Sequence, residues 1–261
     1  MNSFYDLLNT DYLLTFFLIV IRVSGILFTA PVFGSGVVDV RLRLFFSIIV
    51  SILIINNVSI ISFQNVSTLL LILLVIKELL IGIATGVLAR FIFAGVQFGG
   101  QLIGFQMGFG VVNILDPQTN TQVSIIAQFQ NILMILIFLA IGGHLFVIKA
   151  ISYSFTNVPL AKFTFSSEGY IFLVEKFGSI FLTAIKIIAP VFVTLLLLHV
   201  VMGIMARLVP QMNVLIVGFP VQIAFGLLVL LLSLSYFYKI FEKILYQYLV
   251  NIDQLFKILG G

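Results

Sequence analysis

The sequence predicts an all-α membrane protein, and three observations predict it. The first is composition: 62% of the 261 residues are hydrophobic and 8% are charged, against about 25% charged in a soluble domain. The second is run length. Roughly six to seven apolar runs, most close to the ~20 residues that cross a bilayer as a helix, alternate with short polar breaks. Lipid-facing barrels show instead short segments of alternating hydrophobicity. The third is that every polar interval is short, so residues 1–261 read as a single integral membrane domain.

In chain order, residues 12–30 form a first span with Arg22 and Ser24-Gly25 inside it. The start, MNSFYD, lacks the basic stretch of a signal peptide, so this span is expected to be retained. Pro31-Val-Phe-Gly34 is a turn, followed by Asp39, Arg41 and Arg43. Residues 44–61 are a short second span, and 69–88 a third with Lys77-Glu78 near its centre. Residues 91–112 follow after Arg90, so the third and fourth runs make either a tight hairpin or one long bent helix. Residues 123–148 are a strong fifth span, ending near Gly142-Gly143-His144 and Lys149, and 152–169 a polar loop. Residues 170–202 exceed one straight span and contain Pro190, which predicts a break or kink. After a polar break over 206–213, the last span covers 214–238 with Gly218-Phe219-Pro220 near its start. The tail, 239–261, is amphipathic and either lies on the membrane surface or continues the last helix. Lys and Arg on alternate connections put the N-terminus outside and the C-terminus in the cytoplasm, with Arg207 the exception.

Composition also excludes functions. The net charge of +4 is spread singly, with no basic stripe for nucleic acid. With no cysteine, disulfides and thiolate chemistry are absent. His144 and His199 lack a second ligand at helical spacing, so both read as buried, hydrogen-bonded histidines rather than metal ligands. No H-E-x-x-H, G-x-S-x-G or phosphate-loop pattern occurs. The chain is read as no enzyme and as needing no cofactor.

What remains is charge inside apolar runs and one glycine-rich stretch. Arg22, Lys77, Glu78, Glu175 and Lys186 lie within spans, where an ionised group is costly and needs a partner. Lys77 and Glu78 are neighbours and point about 100° apart on a helix, so each needs a partner elsewhere; Arg22 suits Glu78. Such a pair either fixes helix register or lines a conduit. Residues 99–121 are too apolar for an exposed loop and too rich in glycine for an ordinary span. Gly100, Gly104 and Gly108 would share a helical face and admit a close neighbour. Phe105, Met107, Phe109, Val111, Val112, Ile114 and Leu115 make a bulky run, interrupted by Gly110 and ended by Asp116-Pro117. This is either a membrane helix ending in a polar turn or an apolar plug. Gln97, Gln101, Gln106 and Asn113 beside it serve as helix-to-helix glue, or as contacts to other subunits or water.

Four stretches together carry a resemblance. They are Arg22-x-x-Gly25 with Ala30-Pro31-Val-Phe-Gly34 and Arg41-x-Arg43; Lys77-Glu78-Leu-Leu-Ile-Gly82 with Gly86; Gly99-Gly100 with Gln106-Met107-Gly108-Phe109 and Asp116-Pro117; and Gly203-x-x-x-Arg207-x-x-Pro210-Gln211-Met212-Asn213 running to Gly218-Phe219-Pro220. In this order they resemble the FliR family, the R-type subunits of the flagellar type III export gate. The resemblance implies bent helical hairpins assembled with P-type and Q-type subunits into a hetero-oligomeric helical shell. That shell is a closed pore for unfolded flagellar substrates, in the bacterial inner membrane at the flagellar basal body. A B-type subunit and the ATPase-linked cytoplasmic apparatus are further implied partners. The family's plug maps onto about residues 105–120. Arg22, Lys77, Glu78, Arg90 and Arg207 become candidates for assembly, Gly82, Gly86, Gly100 and Gly104 for helix packing, and Pro31, Pro210, Gln211, Asn213 and Pro220 for turns. Injectisomes use a homologous subunit, but the signature through Asn213 and Pro220 looks more flagellar. A small-molecule or ion transporter using Lys77 and Glu78, and a scaffold with no moving part, are the competing readings.

Overall fold

The computed structural model describes residues 9–34, 38–63, 66–109, 124–163, 167–211 and 213–260. These form eight helices among the described residues: α1 Thr10–Thr29, α2 Val40–Ile55, α3 Thr68–Gln106, α4 Ile125–Ala140, α5 Gly143–Asn157, α6 Ser167–Leu208, α7 Val214–Leu232 and α8 Leu234–Gly260. The all-α membrane class holds. α1, α3 and α6 are each long and apolar enough to cross a membrane, and counting two bent pairs, α4 with α5 and α7 with α8, raises the candidates to five.

The seven apolar runs are redrawn. The third and fourth are one continuous helix, α3, with exposed Arg90 inside it rather than on a connection. The alternation of positive loops that used Arg90 therefore fails at that point. The second span shifts to Val40–Ile55, because the Asp39 carboxylate accepts the Arg41 N–H at 2.9 Å and starts the helix early. It ends where Asn57 and Val58 donate back to Ile54 and Ile55 in a turn. The fifth span is two helices: Gly142 takes φ +75° between α4 and α5, and α5 carries helix into the expected polar loop. Of the break or kink expected in the long run after residue 170, the break is absent. α6 continues through Pro190, although proline forfeits a backbone bond there. Its neighbours Ile187, Ile188 and Val191 are buried, so packing outweighs that loss. The last span stops at Ser233, whose hydroxyl donates to the Leu230 carbonyl, and the tail is helix α8. The apolar face of that tail, through Tyr248, Ile252, Phe256 and Leu259, is buried in the protein itself.

The chain divides into two compact units. The first comprises Met1–Phe91, Gly142–Phe177 and Tyr246–Gly261, the second Ile92–Ile141 and Gly178–Leu245. In the first unit α1 is tied down at its start. Asn9 caps it, Asp11 accepts the Phe63 N–H at 3.0 Å, and Thr15 accepts the Ile61 N–H at 3.2 Å. α2 packs on α1 through Ser47, Ser51 and Ile55, both hydroxyls being satisfied by carbonyls one turn back. Apart from Arg41 and Arg43 in its first turn, most of the rest of α2 is apolar and exposed, including Leu42, Phe45, Ile49 and Leu53.

Candidate functional site

The buried charge among the described residues lies at one point of the first unit. α1 and α3 approach there because glycine faces glycine: a Cβ on Gly25 would lie 3.1 Å from the Gly82 Cα. Gly86 is closed off in the same way by Thr29 and by the Ile26 carbonyl. The close approach buries Arg22 and Glu78 completely, with the Arg22 Nε donating to Glu78 Oε2 at 2.5 Å. A buried charge left alone costs several kcal/mol, so the pair holds only if the remaining polar atoms are also bonded. Most are. Arg22 Nη1 donates to the carbonyls of Ser154 and Val158 at 2.8 and 2.7 Å, at the C-terminal end of α5, where the Ser154 carbonyl also accepts the Val158 N–H at 3.1 Å. The guanidinium lies 4.5 Å from the Phe155 ring centre. Glu78 Oε1 accepts the N–H of Ala161, which sits at φ +66°. Arg22 Nη2 is buried without a hydrogen-bond partner among the described residues. Lys77 points elsewhere and donates to the Phe163 carbonyl at 3.2 Å. The clasp thus joins α1, α3, the end of α5 and the following turn.

The second unit holds the start of the glycine-rich stretch. Gly100 lies against Ala127 and the Gln130 amide, and Gly104 against Ser124, so α3 and α4 meet backbone to backbone. Phe93 and Phe138 stack edge-on at 5.5 Å along the same seam. α3 ends at Gln106, and Met107 and Gly108 form a turn whose N–H groups donate to Ile103 and Phe105. Gly108 has φ +88°, a region disfavoured for any residue with a Cβ, and Phe219 of α7 lies against it. Met107 is fully buried, its side chain filling the space left by Gly226 of α7. The three-glycine strip is therefore two helical glycines followed by a turning one. Gln130, buried with neither amide atom bonded to a described residue, is a polar group that sequence reading missed. Gly226 was missed as well, and Phe219, noted only within the Gly218-Phe219-Pro220 signature, was not matched to Gly108, since nothing in an apolar run says which of its residues meets a distant turn.

The expected site residues separate accordingly. Phe105 is exposed, Met107 is buried, and Gly108 and Phe109 are half-buried. Gly110, Val111, Val112, Ile114, Leu115, Asp116 and Pro117 lie outside the described residues. Arg22, Glu78, Lys77, Gly82 and Gly86 converge in the first unit, whereas Arg90 and Arg207 are exposed and join no cluster among the described residues. Pro31 is buried in its turn, where Gly34 N–H donates to Ala30 at 2.7 Å. Pro210 and Gln211 are exposed in a turn, and Asn213 accepts the Ile216 N–H as the start of α7. Pro220 lies inside α7, where its missing N–H leaves the Ile216 carbonyl without the usual helical donor. Lys186 is exposed on α6, and exposed Glu175 lies 3.7 Å from Lys176. The histidines depart from expectation. His199 is exposed, with Nδ1 2.7 Å from the Leu195 carbonyl of its own helix, and the buried His144 Nδ1 has no partner among the described residues. A helix supplies its own acceptor one turn back, so burial is not needed to satisfy a ring nitrogen. No group of three or more His, Cys, Asp or Glu is arranged to hold a metal among the described residues.

Comparison with known proteins bears on these features. Residues 13–248 match the model for bacterial export proteins, family 1. The flagellar biosynthetic protein FliR of Bacillus subtilis is 31% identical over 263 aligned residues, covering 100% of this chain and 99% of that one. FliR of Aquifex aeolicus is also 31% identical, over 90% of this chain and 95% of its own. The Yop proteins translocation protein T of Yersinia pestis is 26% identical over 64% of this chain and 65% of its own.

Proposed function

Because this chain belongs to the bacterial export proteins, family 1, the family of the flagellar FliR proteins, we propose that it is a wall subunit of a protein-export pore. In this reading it assembles with P-type and Q-type subunits in the inner membrane at the flagellar basal body. It closes the passage for unfolded flagellar substrates with the apolar segment that follows α3. The B-type subunit and the ATPase-linked apparatus dock on the cytoplasmic side.

The observation that carries the reading is the end of α3. A glycine-seamed helix stops in a turn pinned by Met107 and Gly108 on α7, directly before the run from Phe109 to Leu115. Bulky apolar side chains in a narrow passage exclude water and ions. The turn fixes where that run begins, and Gly108 and Gly110 let it swing aside. Further support comes from the broad apolar surface of α2 and α6, which suits burial by neighbouring subunits as well as lipid. The transporter reading is weakened at its centre. Glu78 is engaged by Arg22 and Ala161, and Lys77 by Phe163, so neither is poised to cycle a substrate. The alignment spans the whole FliR chain but only about two-thirds of the Yersinia protein, which favours the flagellar system.

Isolation of the tagged chain from its native membrane tests the proposal. Co-purification of a stable complex with several small hydrophobic subunits is expected. A monomer or dimer that transports a small solute unaided would overturn it.

A further inference from the structure

In the second unit, α3 is covered on two sides. Gly100 and Gly104 lie against α4, while Gly95 and Gly99 lie against Thr183, Ala184 and Ile188 of α6. A third side is open and carries Gln97 and Gln101, both exposed. Successive helix residues turn by about 100°, so from the contact at Gly100 both glutamines project to the same side of the α3–α4 seam. The two helices are antiparallel, since Gly100 meets Ala127 and Gly104 meets Ser124. Counted from Ala127 in the opposite sense, Gln128 and Asn131 project to that side too. All four lie within about one helical turn of the contact. Gln128 is exposed and Asn131 half-buried, and none of the four side chains has a hydrogen bond to a described residue. The surface around them is apolar, with Phe105, Phe129, Ile132 and Leu136 exposed.

Hydrocarbon offers an amide no partner. Each amide both donates and accepts, and it carries no charge. That is the chemistry of a peptide backbone, whose N–H and C=O groups repeat whatever the sequence. We propose that the open side of the α3–α4 seam faces a water-filled passage, and that Gln97, Gln101, Gln128 and Asn131 form a sequence-neutral track for an extended polypeptide. This rests on the export reading above. Ionised groups in these places would hold substrates of opposite charge, and apolar groups would trap greasy segments. Amides exchange substrate for water at small net cost.

The chain has no cysteine, so single thiols report cleanly. Gln97→Cys, Gln101→Cys and Gln128→Cys, with Leu136→Cys as an apolar reference, are treated with a membrane-impermeant maleimide. The samples are complexes purified with their native partners and returned to vesicles. The reactive thiolate forms in water, so the three glutamine positions are expected to label at least about tenfold faster than the reference. An export substrate stalled by a tightly folded fusion is expected to lower their labelling by a similar factor. Labelling in the isolated chain that disappears in the complex would assign the face to a neighbouring subunit and overturn the proposal. Labelling at the reference rate in both would assign it to lipid and also overturn it. Fast labelling that a stalled substrate leaves unchanged would remove the track but keep the export role. If the parent chain yields no complex with export partners, the export reading itself is what fails.

Discussion

The α1–α3 seam of the first unit and the α3–α4 seam of the second are both built on glycine, but polar chemistry treats them in opposite ways. At the first, Gly25, Gly82 and Gly86 bring the backbones together over a fully buried ion pair whose partners come from four segments. At the second, Gly100 and Gly104 bring the backbones together beside uncharged amides, and the buried Gln130 makes no hydrogen bond to a described residue. A buried ion pair tolerates little change of geometry, because separating the charges leaves each desolvated and alone. A seam of small residues and neutral amides has no such penalty. The difference teaches which part of the molecule is a fixed joint and which adjoins the part proposed to move.

The largest effect is expected at the fixed joint. Glu78→Ala leaves Arg22 buried and unpaired, a loss of about 3–5 kcal/mol, visible as a collapse in the yield of folded chain and of complex. Adding Arg22→Met should restore part of that loss by removing the orphaned charge. Recovery stays partial because the Val158 carbonyl loses its Arg22 donor and the Ser154 carbonyl keeps only the Val158 N–H. Full tolerance of Glu78→Ala would erase the contrast between the seams. Next comes Gly82→Ala, whose methyl would stand 2.5 Å from the Arg22 carbonyl, a backbone atom that cannot step aside. About 1–3 kcal/mol is expected, read as a lowered melting temperature in detergent.

Smaller effects sharpen the comparison on the other side. Gly108→Ala meets a disfavoured backbone at φ +88°, costing about 1–2 kcal/mol. Adding Phe219→Ala relieves the ring overlap but not the backbone strain, so the double variant should recover only partly. Gly226→Ala meets Met107 side-chain atoms at 2.7–2.9 Å, but a methionine adapts, and less than about 1 kcal/mol is expected. Gly178→Ala and Gly203→Ala face open space and should stabilise the isolated chain by up to about 1 kcal/mol through helix propensity. Loss of complex in either, with the isolated chain intact, would mark that stretch of α6 as a subunit contact.

Much of this was legible from sequence for one reason: charge in an apolar run must be accounted for. That is why Arg22 and Glu78 could be matched across 56 positions, and the structure brings them together. Continuity of helices was harder to read. Arg90 resembles a loop charge, yet one exposed arginine sits comfortably on the outside of α3. Gly142 and Ser233 break helices inside hydrophobic runs, where hydropathy carries no signal of direction. Pro190 shows the converse, a breaker overridden by packing on both sides. At the end of α3, glycine spacing pointed to close approach at Gly100 and Gly104. The partners Ala127, Phe219 and Gly226 were not legible, because they depend on how distant helices dock.

The central claim is that the apolar run after α3 keeps the passage shut, and passive ion permeability tests it most directly. Vesicles holding the assembled complex are compared with vesicles in which Phe109, Val111 and Val112 are replaced by serine. Hydrated side chains no longer exclude water, so permeability should rise at least about tenfold at equal complex yield. Permeability unchanged from the parent, with the complex intact, would contradict the account.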